Sequence, residues 1–115
     1  MNRERLTILR DHLAKLPDSR FDISTIRQED ECGTYACLAG WTCELFGGRG
    51  IWEAETHLDL NDEQGGELFV PSHPGRSWSR REDYPRADAI AAIQSMLDNP
   101  ADDALPVWPE KAASQ

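Results

Sequence analysis

The cysteines are the side chains of this chain best suited to covalent chemistry, and two of the three lie in its most distinctive stretch, Cys32-Gly-Thr-Tyr-Ala-Cys-Leu-Ala-Gly-Trp41. No acid or base interrupts that run. A thiol at a helix start is biased toward thiolate, because unpaired backbone N–H groups and the helix dipole favour negative charge there. Thr34 is a good N-cap, which predicts a helix over 35–46 with Cys37 in its first turn. Cys37 is then the candidate nucleophile, and Cys32, just outside the same helix end, its resolving partner. Against this, Asp30 and Glu31 raise nearby thiol pKa values, and no His follows closely to act as base. Cysteine is also among the most buried residue types. The expectation is that Cys37 and Cys43 are buried, reduced, structural thiols, with Cys37 and Cys32 as the catalytic alternative.

A metal is not expected. The spacing is C-x4-C-x5-C, with His57 and His73 far along the chain, whereas zinc sites use close ligand pairs. Cys37 and Cys43 are six residues apart on one helix and turn to different sides. An anion site is a further candidate. Gly33 and Thr34 at a helix start could offer free N–H groups to a phosphate. Arg76, Arg80 and Arg81 cluster with Trp78 in Ser72-His-Pro-Gly-Arg-Ser-Trp-Ser-Arg-Arg81. Arginine reads phosphate bidentately, and an indole stacks on a base or a guanidinium. The competing structural reading pairs these arginines with the acidic stretch 53–67 and pins the loop down. No cofactor is called for.

The elements that must position these residues follow from hydrophobic spacing. Leu6, Leu9, Leu13 and Leu16 form one stripe of a helix over 3–16 that Pro17 ends, with His12 on the solvated face. Phe21 and Ile23 read as a short extended segment docked in the core. In helix 35–46, Leu38, Trp41 and Leu45 make one face and Ala36, Gly40 and Cys43 another, so this helix is central and buried. Gly47-Gly48 closes it. Ile51, Ala54 and Leu58 make a short stripe. A further short turn or helix, which Asn61 or Asp62 could cap, reaches Leu68-Phe69, with irregularity expected at Gly65-Gly66. Residues 71–86 read as a long loop. Asp83 or a neighbour starts a last helix to Asp98, ended by Asn99-Pro100. In the Pro-rich tail 99–115, Leu105, Val107 and Trp108 are apolar enough to dock. The expected fold class is all-α: a single helical domain over 1–115, a small bundle around one central helix, with irregular loops.

Charge limits function. The formal net charge of -9 is the wrong sign for gripping phosphate backbones, so no direct nucleic-acid binding is expected. It suits solubility and basic partners, and is also the pattern of a DNA mimic. No apolar run spans a bilayer, and the start of the chain leads into an amphipathic segment in place of an apolar signal region. No membrane partner is expected, and the odd cysteine count fits a reducing, cytoplasmic setting. There are four tryptophans. Trp41 reads as core, whereas Trp52 and Trp78 are candidate interface anchors.

The order of these features resembles a family of small proteins from bacteria and their phages. The Cys32-Gly-Thr-x-x-Cys-Leu-Ala-Gly-Trp41 element carries the resemblance, with Leu16-Pro17, Phe21-Asp-Ile, Leu58-x-Leu60, Leu68-Phe69-x-Pro71, a late Ala/Ile helix and a C-terminal Trp around it. It implies a cytoplasmic, phage or bacterial helical protein and lends no catalytic residues. No complete catalytic set is visible. The expected function is therefore a non-catalytic interaction protein, a phage-encoded modulator acting on a host or phage protein, with homo-oligomerisation open. The alternatives are a binder of a phosphorylated small molecule or nucleotide through Arg76, Trp78, Arg80, Arg81, Gly33 and Thr34, and a thiol-dependent enzyme.

Overall fold

Leu6, Leu9 and Leu13 are fully buried along one side of the first helix, α1 (Arg3–Lys15), as their spacing predicts. The computed structural model describes residues 1–25, 28–30, 33–77 and 79–110, with the side chains of 28–30, 33–35 and 81 outside that description. α1 is followed by a 3-10 turn at Asp18–Arg20 and by β1 (Gln28–Asp30) and β2 (Gly33–Tyr35). Then come α2 (Leu38–Phe46), α3 (Ile51–Leu58), α4 (Asp62–Phe69), a second 3-10 turn at Arg81–Asp83, and α5 (Arg86–Asp98). The fold is all-α, with one short antiparallel strand pair in the register Gln28 to Tyr35, Glu29 to Thr34 and Asp30 to Gly33. α1 packs chiefly on α5, and α2 on α3. The radius of gyration, 13.2 Å, is that of one folded unit of this length, about 13 Å.

The central helix starts later than its sequence suggests. Thr34 lies in β2 and does not cap a helix. Ala36 N–H donates to Arg20 O (3.1 Å), Asp22 N–H to Ala36 O (3.1 Å), and Cys37 N–H to Thr25 O (2.6 Å). These bonds hold 36–37 extended, in a bridge between Phe21 and Ala36, and delay the first helical turn to Leu38. Every residue from Leu38 to Cys43 is buried. Trp41 is only 5% exposed, and its indole N–H donates to Arg20 O at 3.0 Å. Gly47 and Gly48 end the helix at φ 99° and 107°, in a region that suits glycine. A Cβ on Gly48 would collide with the side chain of Glu53.

Three further expectations are corrected. Gly65 and Gly66 sit in a regular helix, because Asn61 and Gln64 form a reciprocal capping box that secures its first turn. The last helix begins at Arg86, since Asp83 is held in the 3-10 turn preceding it. The tail docks through Ala104 and Trp108, while Leu105 and Val107 stay exposed. Trp108 N–H donates to Glu67 O (2.9 Å), and Gln64 Nε2 donates to Asp102 O and Ala104 O (both 2.9 Å). The tail is thereby laid along α4.

His12 is not solvated as its helical position predicts. Its ring packs on Trp41 at a centroid distance of 5.0 Å, and its Nε2 is buried without a hydrogen-bond partner. Burial pushes its pKa down, Lys15 adds to the fall, and Glu44 opposes it. A depressed folded-state pKa means that the unfolded chain binds the proton more readily. Stability from this site is present above the unfolded value of about 6.5 and is lost as pH falls through the lower folded value. His12→Phe keeps a ring on Trp41 and removes the titration. Chemical denaturation from neutral pH down to mildly acidic pH should show the wild type losing more stability than the variant. Gly66→Ala tests the helix itself: no atom lies within 4 Å of the added Cβ, so a gain of up to about 1 kcal/mol is expected in thermal denaturation.

Candidate functional site

Cys37 and Cys43 are placed for packing. Cys37 is the N-cap of α2, one position outside the helix, where its sulfur accepts from Gly40 N–H at 3.5 Å. Burial pushes the thiol pKa up, against the lowering effect of the backbone N–H groups at Gly40 and Ala39. Cys43 is buried too, its pKa is raised chiefly by burial, and its S–H donates to Gly50 O at 3.4 Å. Both are free cysteines. Among the described residues neither sulfur is hydrogen-bonded to a His, Asp or Glu that could act as base. Cys32 lies outside the described residues. No described group of three or more His, Cys, Asp and Glu converges as a metal site.

The arginine loop is an internal clamp. Arg76 Nε donates to Asp83 O (2.9 Å), Nη1 to Pro109 O (2.7 Å) and Nη2 to the Asp88 carboxylate (2.8 Å). Its guanidinium also lies 4.4 Å from the centre of the Tyr84 ring. With 5% of the side chain exposed, Arg76 is committed to joining the loop, α5 and the tail. Tyr84 is fully buried, its hydroxyl is 2.9 Å from His73 Nδ1, and burial raises its pKa. Asp83 is buried and accepts from Ser77 N–H at 2.8 Å.

Arg80 is exposed and pairs with Glu82 at 3.3 Å, and Arg86 pairs with Asp18 at 3.0 Å. The described partners of these arginines are thus Asp18, Glu82, Asp83 and Asp88, not the 53–67 stretch as the sequence suggests. Trp78 and the Arg81 side chain lie outside the described residues. Gly33 and Thr34 belong to β2, so the helix-end geometry that would make them an anion site is not formed there. Of the candidate phosphate ligands, Arg80 alone is described with an exposed side chain, and no described cavity gathers them.

A different set of residues is gathered between α3 and α4. Trp52, Glu55, Thr56 and Asp59 follow at i, i+3, i+4 and i+7, so they share one face of α3. With Leu60 and Asp62 they line an open cleft of about 480 Å³. Trp52 is 86% exposed, the most exposed large apolar side chain described. Leu60 is the buried apolar residue of the lining. Glu55 lies over Gly65, where a Cβ would collide with its carboxyl group. Burial raises the Glu55 pKa, and the charge and hydrogen-bonding proximity of Asp62 raise it further. Asp59 caps α3 at φ 52° and meets the Met1 amine at 3.3 Å. The sequence marks Trp52 as a loose aromatic and 53–67 as a solvated acidic surface. The helical spacing of Trp52 with Glu55, Thr56 and Asp59 is the signal that unites them.

Comparisons of the chain with family models, with curated proteins and with solved structures found no match. Among the described residues no helix is long and apolar enough to cross a membrane.

The clamp reading has a direct consequence. Arg76→Met leaves Asp88 and two carbonyls without their buried donor, and should destabilise the fold by about 2–4 kcal/mol. Arg80→Ala, at an exposed pair, should change stability by less than about 0.5 kcal/mol. Urea denaturation of the two variants measures the contrast.

Proposed function

We propose that the protein is a non-catalytic interaction protein whose contact surface is the α3–α4 face centred on Trp52. One observation carries this reading: an indole left 86% exposed beside a formed cleft, on a chain whose other described tryptophans, Trp41 and Trp108, are buried with bonded N–H groups. An exposed aromatic of this size is a typical interface anchor. The chemistry of the described residues supports a binding role. Cys37 and Cys43 are buried, burial raises both thiol pKa values, and neither lines the cleft. Glu55 and Asp62 are within hydrogen-bonding reach of each other.

On the resemblance carried by the 32–41 segment, the partner is a host or phage protein and the setting is cytoplasmic. The test is Trp52→Ala. The side chain touches little of the core, so the melting temperature should hold, with a change below about 0.5 kcal/mol. Capture of the partner by the immobilised protein should be lost. A variant that captures the same partner as well as the wild type would remove Trp52 from the contact surface.

A further inference from the structure

We propose that the α3–α4 face docks a basic segment of a partner protein, with an arginine guanidinium seated between the Trp52 indole and the carboxyls of Glu55 and Asp62. This rests on the reading of Trp52 as the contact surface and adds the chemistry of what it contacts. Charge complementarity selects the occupant. Between Glu53 and Glu67 the chain carries six acids and no Lys or Arg. Glu55 and Asp62 stand side by side, and no described cation pairs with either. Two crowded carboxyls without a counter-charge are relieved by an arriving cation.

The surrounding groups narrow the cation. An exposed indole face attracts a planar guanidinium by cation–π contact and stacking. The same guanidinium offers several N–H donors in a fork that fits carboxylate oxygens, whereas an ammonium acts as a point charge. Leu60, which also lines the cleft, gives the stem of the side chain an apolar contact. Other occupants fit less well. A second copy docked through the same face would set acid against acid, because a two-fold contact pairs a patch with itself. A nucleic acid meets the same repulsion. An apolar peptide finds only Trp52 and Leu60 among the lining residues.

The experiment is calorimetric titration of the full chain with a synthetic arginine-rich peptide, its lysine counterpart and its glutamate counterpart. Saturable binding of the arginine peptide is expected, several-fold weaker binding of the lysine peptide, and none of the glutamate peptide. Trp52→Ala should weaken arginine-peptide binding about tenfold, as loss of a desolvated cation–π contact does. Glu55→Gln combined with Asp62→Asn should weaken it at least as much. Glu110→Gln removes a charge from a different cleft and should leave affinity unchanged.

Equal affinity for wild type and Trp52→Ala overturns the proposal. So does a loss with Glu110→Gln as large as that of a cleft variant, which would mean diffuse charge attraction. Concentration-dependent self-association through Trp52 also overturns it. If the arginine peptide fails to bind while Trp52→Ala still abolishes partner capture, the basic-segment inference falls and the contact surface stands. If Trp52→Ala changes neither measurement, both fall together.

Discussion

The first six residues of α2 are all buried, and the rest of the chain is arranged around that constraint. A buried helix end must find protein partners for its backbone groups. Here the extended segment beneath it supplies them. Arg20, Asp22 and Thr25 exchange hydrogen bonds with Ala36 and Cys37, and Cys37 then caps the first turn with its sulfur. Thr42, also buried, returns its hydroxyl to Leu38 O at 2.8 Å. Trp41 ties the helix laterally to the same segment. The cysteine-rich motif is thus a packing device. The Cys37 sulfur fills a buried position where a stronger polar group would require more partners.

Around that centre, an acidic protein uses its arginines as internal connectors. Arg3 donates to Leu97 O and Asn99 O at the end of α5, and Arg86 donates to Leu13 O at the end of α1. Both place positive charge where the helix dipole is negative. Arg76 joins loop, helix and tail. Arg5 donates to His57 O between α1 and α3 and lies over the Phe46 ring at 5.2 Å. With these cations turned toward carbonyls and core aromatics, no described arginine or lysine pairs with Glu55 or Asp62 on the α3–α4 surface. Internal architecture and surface charge have the same cause.

The helices were legible because their apolar spacing is regular: Leu6, Leu9 and Leu13 in α1, and Ile51, Ala54 and Leu58 in α3. The start of α2 was not, because Thr34 is a good cap by type and the bonds that override it come from residues more than ten positions earlier. Glycine propensity misled at Gly65-Gly66, where a capping box and tertiary contacts outweigh the local cost. The arginine loop looked like a ligand site because composition reveals charge without showing its direction, and Arg76 points inward. The cleft was half visible. Trp52 and the acids each stand out in the sequence, but their shared face depends on helix phase, and the approach of Glu55 to Asp62 depends on how α3 and α4 fold together.

Asp59 joins those two helices in a left-handed conformation that glycine would adopt with less strain. A chain shaped only for thermal endurance would place glycine there and shed a carboxylate from the cleft. Retaining aspartate keeps negative charge at the rim and accepts a backbone cost for it. Stability and recognition therefore compete at a single position. Variants selected for heat resistance would drift toward a less acidic cleft, and a change that hardens the fold would blunt the surface it presents.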